Sequence, residues 1–228
     1  MGEGLVARDE TPVQRLRVQF SKGEQLAYIS HLDLARTWER VCRRAGLPLA
    51  HSQGFNPRPR YQLAAALPVG VTGRSEFLDL WLVEAMEPED LEARLRPCLP
   101  PGLEVLRVEE TDLRGPALQA QTRAADYRAV VRNQEPAEAV SSRVRALLAA
   151  PLILRQRQHK GKQQTYDLRP LIQTVTVERG PAGEHVLNMR LQLSPEGAGR
   201  PDEVLEALGL TLDPHRIERT NLCFEFDK

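Results

Sequence analysis

Three stretches of this 228-residue chain carry side chains that could do chemistry. The first is Ser30-His31-Leu32-Asp33. Placed at a helix N-terminus, His31 meets a dipole that disfavours its protonated form and favours a bound anion. It therefore reads as an anion or phosphate contact, as a general acid/base, or as a residue that fixes the start of the helix. The second stretch is Ser52-Gln53-Gly54-Phe55-Asn56-Pro57-Arg58-Pro59. Gly54 permits close backbone approach, and Pro57 and Pro59 stiffen the end of the turn. Phe55 either stacks on a base, with Arg58 and Arg60 on phosphates, or plugs the loop over the core. Gln53 and Asn56 offer amides suited to the polar edges of bases. The third is the basic run from Arg155 through Lys160, Gly161 and Lys162, followed by Tyr166, Asp167 and Arg169. A basic loop with glycine at its tip suits phosphates; it is equally the pattern of a solvated, mobile loop. Tyr166 adds a stacking group and Arg169 a bidentate donor, while Asp167 pairs with Arg169 or caps the turn.

The net charge is zero, yet the charges are segregated. Between Arg36 and Tyr61 the local balance is +5, and Arg36, Arg40 and Arg44 recur at helical spacing. Between Pro151 and Pro170 it is +4, and between Glu76 and Asp112 it is −8. Such blocks generate a signed field even when the total cancels. Two basic blocks in comparable places point to a polyanion-binding face. The chain lacks a Walker or Rossmann glycine fingerprint, HExxH and GxSxG. Its five histidines have no ligand spacing, and Cys42, Cys98 and Cys223 form neither a disulfide framework nor a three-cysteine iron–sulfur loop. No metal and no cofactor are expected. No apolar run approaches the roughly 18 residues of a membrane span, and the first fourteen residues lack the layout of a signal peptide. A cytoplasmic protein is expected, with residues 1–14 as a disordered lead-in.

The elements that must position these residues follow from periodicity. Alternation predicts a strand over 15–20. Ser30 then caps a helix running to about residue 45, with Asp33 completing a capping-box-like pattern and Gly46 as the stop. Strands are predicted over 47–51, 61–67, 76–83 and 103–108, with a helix over 88–99. After a linker at 111–122 the order repeats: strands over 125–131, 152–158, 171–179, 185–193 and 219–226, helices over 136–149 and 201–208. The expected fold class is α+β, two tandem ferredoxin-like (βαββαβ) domains over 15–110 and 123–228.

The run SKGEQLAYISHLDLARTWERVCRRAGLPLAHSQGFNPRPR, with the later KGK…YDLRPLI, resembles the signature of the radical-SAM-linked family. In that family of bacterial proteins the gene lies beside, or is fused to, a radical SAM enzyme. The resemblance implies an accessory role with a radical SAM enzyme as partner, and the family's gene neighbourhood implies RNA. The expected function is to bind tRNA or rRNA, without catalysis, and present it to that enzyme. Ser30, His31, Asp33, Arg36, Arg40, Arg44, Gln53, Gly54, Phe55, Asn56, Arg58, Arg60, Arg155, Lys160, Lys162, Tyr166 and Arg169 form the expected site. Two rival readings stand beside it. Tandem ferredoxin-like domains also resemble the CRISPR repeat-processing endoribonucleases, which would make His31 a general acid/base without metal. The acidic 76–112 segment would alternatively make the chain a protein–protein adaptor.

Overall fold

The computed structural model describes residues 11–53, 55–132, 135–159, 162–210 and 216–225. Residues 1–10 of the expected lead-in lie outside the described residues, whereas Val13 N–H already bonds the Leu82 carbonyl at 2.8 Å and Gln14 opens the first strand. Strand β1 (Gln14–Lys22) places Leu16, Val18 and Phe20 on one face and Arg15, Arg17 and Gln19 on the other. Helix α1 (His31–Arg44) buries Leu34, Trp38, Val41 and Cys42 on one stripe. Gly46, at φ +62°, turns the chain out of it. Strands β2 (Tyr61–Leu63), β3 (Thr72–Leu82) and β4 (Leu103–Thr111), with helix α2 (Pro88–Leu95), complete the first half.

A short helix α3 (Leu118–Gln121) leads into β5 (Thr122–Arg132) and α4 (Ala137–Ala149). Beyond them come β6 (Leu154–His159), β7 (Lys162–Asp167), β8 (Ile172–Arg179), β9 (Glu184–Ser194), β10 (Gly197–Ala198), α5 (Pro201–Ala207) and β11 (Ile217–Phe224). The main sheet runs β10-β9-β5-β11-β3-β1-β4, with β8 also on β9 and β2 also on β3. It is mixed: β11 meets β3 in parallel through Glu218↔Thr72 and Arg219↔Gly73, and the other pairings are antiparallel. The protein is thus α+β, built on one large mixed sheet.

Two apolar clusters lie on the sheet. One joins Leu16, Val18, Phe20, Leu78 and Leu80 to α1 and α2. Trp38 stands edge-on to Phe20, with ring centroids 4.9 Å apart. The other joins Tyr127, Ala129, Leu187 and Met189 to α4 and α5.

Several elements differ from the sequence expectation, each for a local reason. The strand expected over 61–67 stops at Leu63, because Ala64, Leu67 and Val71 turn into the second cluster. The strand expected from residue 76 begins at Thr72, where β11 supplies a partner. Residues 152–158 do not join the main sheet. They form one arm of a separate β6–β7 hairpin, since alternating Arg155, Gln156 and Arg157 offers no apolar face. The linker contains α3 and is strapped down by Arg15, whose guanidinium donates to the carbonyls of Asp112 (3.2 Å), Gly115 (2.9 Å) and Pro116 (3.0 Å).

Candidate nucleic-acid interface

The SHLD motif builds the start of α1. Ser30 Oγ accepts from the Asp33 backbone N–H at 3.2 Å and donates to the Asp33 carboxylate at 2.7 Å. The Ser30 hydroxyl, aided by Arg36, holds the Asp33 carboxyl below its ordinary range. His31 is half-buried, and its Nδ1 is enclosed with no hydrogen-bond partner among the described residues. Burial first, then the charge of Arg219, lowers its pKa. Both effects favour the neutral imidazole over the imidazolium.

Beneath this helix start lies a charged cluster that sequence reasoning missed. Arg219 donates from Nε to Glu76 Oε1 at 2.8 Å and from Nη1 to the Ala66 carbonyl at 2.9 Å. Its Nη2 also bonds Glu76 Oε2. Lys22 Nζ donates to the carbonyls of Ala27 (3.1 Å) and Val71 (3.2 Å), and burial lowers its pKa to about 8. Gly73 leaves the room that this arrangement needs: a Cβ there would stand 2.6 Å from Glu76 Oε1. The available signal was phase. Lys22 and Glu76 fall in step with Phe20 and Leu78, at positions where a core would want apolar side chains.

The outer face of α1 presents its guanidiniums to solvent. Arg36 is 72% exposed and pairs with Asp33, Arg40 donates to Thr37 Oγ1, and Arg43 and Arg44 are exposed. The 50–60 loop folds back on itself beside this helix. Ser52 N–H donates to the Arg58 carbonyl (2.8 Å), Arg58 N–H to Ser52 Oγ (3.0 Å) and Arg60 N–H to the Ala50 carbonyl (2.7 Å). Tyr61 Oη donates to the Ala35 carbonyl at 3.1 Å and fastens the loop's end to α1. Phe55 is fully exposed and touches no core, so the plug reading is overturned. Gln53, Asn56 and Arg58 are exposed beside it, and Gly54 lies outside the described residues. Arg60 lies over the Trp81 ring at 4.9 Å, a ring that Arg15 also approaches at 4.7 Å.

The second basic stretch is placed differently. Arg155 Nη2 donates to the Glu203 carbonyl at 2.9 Å, and Tyr166 Oη bonds the Glu203 carboxylate. Arg157 lies over the Tyr166 ring at 4.9 Å. Arg169 donates to the carbonyls of Leu148 (3.0 Å) and Ile172 (2.9 Å), so it latches the fold. Asp167 caps the turn by accepting from the backbone N–H groups of Ile153 and Arg169. Lys160 lies outside the described residues, as does the Lys162 side chain. Among the described residues, no hydrogen bond or ion pair joins this hairpin to α1.

Among the described residues no helix is long and apolar enough to cross a membrane, and no group of three or more His, Cys, Asp or Glu is placed to hold a metal ion. Fold and surface together define an α+β protein with an arginine-faced helix and an aromatic-tipped loop at its side. Residues 15–201 match the family described as an uncharacterized protein conserved in bacteria (DUF2344), and the chain belongs to that family. No curated protein matches it. Among solved structures it is similar to a chain in the crystal structure of a Cbf5-Nop10-Gar1 complex, with a TM-score of 0.50 at 10% identity. That likeness covers 91% of this chain and 48% of the other, so this chain spans about half of its neighbour's length. At that identity the likeness concerns the fold alone.

Proposed function

We propose that the protein binds RNA, of the tRNA or rRNA class, on the surface made by α1 and the 50–60 loop, and presents it to a partner radical SAM enzyme. The observation that carries this reading is Phe55, a whole aromatic ring in solvent at the tip of a loop fastened to an arginine-faced helix. Burying such a side chain would contribute about 1.5–3 kcal/mol, and this fold forgoes it. Stacking on a base recovers about 1–3 kcal/mol per base. Arg36, Arg40 and Arg44 would hold phosphates, and Gln53 and Asn56 would reach base edges. Lys160 and Lys162 would add phosphate contacts by their charge. Arg155, Tyr166 and Arg169 would support that hairpin without contacting RNA, given the bonds they already make.

The radical SAM partner rests on the resemblance of the SHLD and SQGFNP blocks. A hollow of about 660 Å³ by the end of α1, lined by Glu84, Glu87 and Asp90 against the single cation Arg94, supports an acidic docking face for it. We also infer two ferredoxin-like domains, over 15–110 and 123–228. The strand orders β2-β3-β1-β4 and β8-β9-β5-β11 support that division, because in each the first strand lies between the third and fourth.

Crosslinking in cells followed by sequencing of the bound RNA tests the function. Enriched tRNA or rRNA, with crosslinks in the 50–60 loop, is expected. Recovery of no RNA above an uncrosslinked control would remove the reading. A second reading, a metal-independent ribonuclease with His31 as general acid/base, rests on the half-buried imidazole held at the start of α1. Cleavage of structured RNA in EDTA that is lost on His31→Ala would establish it.

A further inference from the structure

Beyond Glu218↔Thr72 and Arg219↔Gly73, β11 and β3 make no further pairing. From there β11 continues along β5 to Phe224, while β3 continues along β1 and β2. The two halves of the sheet part, and a hollow of about 420 Å³ opens between them. Arg17 and Phe77 line it, and both alternate with the residues that pack under α1 and α2. The hollow therefore lies on the sheet face opposite those helices.

Three guanidiniums from three strands reach it, Arg17 on β1, Arg107 on β4 and Arg190 on β9, with the Glu109 carboxylate also in its lining. Each is aimed by a carboxylate. Arg17 Nε donates to Asp79 at 2.9 Å, Arg107 pairs with Glu109 at 2.9 Å, and Arg190 holds Asp126 through Nε (2.7 Å) and Nη2 (2.8 Å). A guanidinium carries five donors in a rigid fork, and a carboxylate on one edge occupies two of them. Arg190 is 48% exposed, and its Nη1 makes no hydrogen bond to the described residues. Arg107 is 69% exposed. Phe77 and Phe224 meet edge to face at 5.1 Å; Phe224, 7% exposed, belongs to the core, so the half-buried Phe77 is the aromatic wall of the hollow, and the Asn221 amide, which also donates to Cys223 Sγ, stands beside it.

Oriented cationic forks suit an oxyanion, the aromatic wall suits a flat ring, and an amide suits that ring's polar edge. The volume suits one such ligand. We propose that this hollow binds a nucleoside monophosphate, either free or as one unit of an RNA strand. The phosphate meets Arg107 and Arg190, the ring packs on Phe77, which Phe224 backs from the core, and Asn221 bonds its edge. This site is on the face opposite α1, and stands or falls separately from the RNA surface proposed above.

Calorimetric titration of the Arg36→Ala, Arg40→Ala, Arg44→Ala triple variant tests it free of the α1 surface. AMP, GMP, CMP, UMP, inorganic phosphate and a trinucleotide are titrated in turn. At least one monophosphate is expected to bind with a Kd on the order of 10–100 µM for a ligand of this size. Adding Arg107→Gln or Arg190→Gln is expected to weaken it about tenfold or more. Arg107 is a surface residue, so its variant keeps the test meaningful if loss of Arg190 unfolds the chain; melting curves report which has happened. Competition by the trinucleotide assigns the ligand to an RNA strand, and its exclusion assigns it to a free nucleotide. No binding at millimolar concentration, binding indifferent to Arg107→Gln, or phosphate binding as tightly as any nucleotide would each overturn the proposal.

Discussion

Arg219 on β11 and Glu76 on β3, 143 positions apart, form an ion pair sealed from solvent at 0% and 4% exposure. The pair sits beside the registers where the two halves of the sheet join, and Arg219 also donates to the Ala65 and Ala66 carbonyls. It ties the 64–71 segment to the seam and places a fixed charge near His31.

Removing one partner of such a pair strands the other in a low-dielectric setting. Glu76→Gln is expected to destabilise the protein by about 3–5 kcal/mol. Denaturant titration with far-UV detection measures it; an unchanged midpoint would show that Arg219 finds other compensation.

Lys22 gives a pH dependence of definite sign. Its folded pKa, about 8, lies below the ordinary value of 10.5, so between those values the unfolded chain binds more protons. Stability therefore rises as pH increases from about 8, by a Lys22 contribution on the order of 3 kcal/mol by pH 10.5. Buried Cys42, whose thiol is pushed up to about 12, opposes this above pH 9. The clean window is thus pH 8–9. Denaturation midpoints there should rise in the wild type and stay flat in Lys22→Met; parallel curves would contradict the account.

His31 acts at lower pH with the same sign. Its depressed pKa means that the unfolded imidazole takes up its proton first as pH falls through about 6.5, and stability declines. His31→Gln should remove that decline. NMR titration of the His31 ring above its ordinary value would contradict the assignment.

Two aromatic truncations should separate binding from folding. Trp38→Ala removes a fully buried ring and should cost about 3–5 kcal/mol. Phe55→Ala removes an exposed one, and should leave the melting temperature unchanged while weakening RNA binding by about 1–3 kcal/mol. Loss of stability in Phe55→Ala would return that ring to a structural role.

How far the chain could be read from its residues depended on whether the signal was local. The α1 cap and stripe, Gly46 and the alternation of β1 are fixed by neighbours a few positions away, and they stand close to where the pattern places them. The phase of Glu76 marks it as buried, but its partner Arg219 lies in the other half, and the Arg17–Arg107–Arg190 hollow likewise joins residues that no local spacing brings together. Arg155 and Arg169 have the charge of phosphate ligands. Their bonds to the carbonyls of Glu203, Leu148 and Ile172 depend on a fold in which those groups come near.

The salt dependence of RNA binding is the sharpest test of an RNA surface on α1. Filter binding of tRNA and rRNA fragments between 50 and 200 mM salt should give a falling log–log plot. Each phosphate neutralised on a single strand adds about 0.7 to the slope, so replacing Arg36, Arg40 and Arg44 with alanine should reduce it by about 2. Binding that is independent of salt, or a slope that survives the three substitutions unchanged, would contradict an RNA surface on α1.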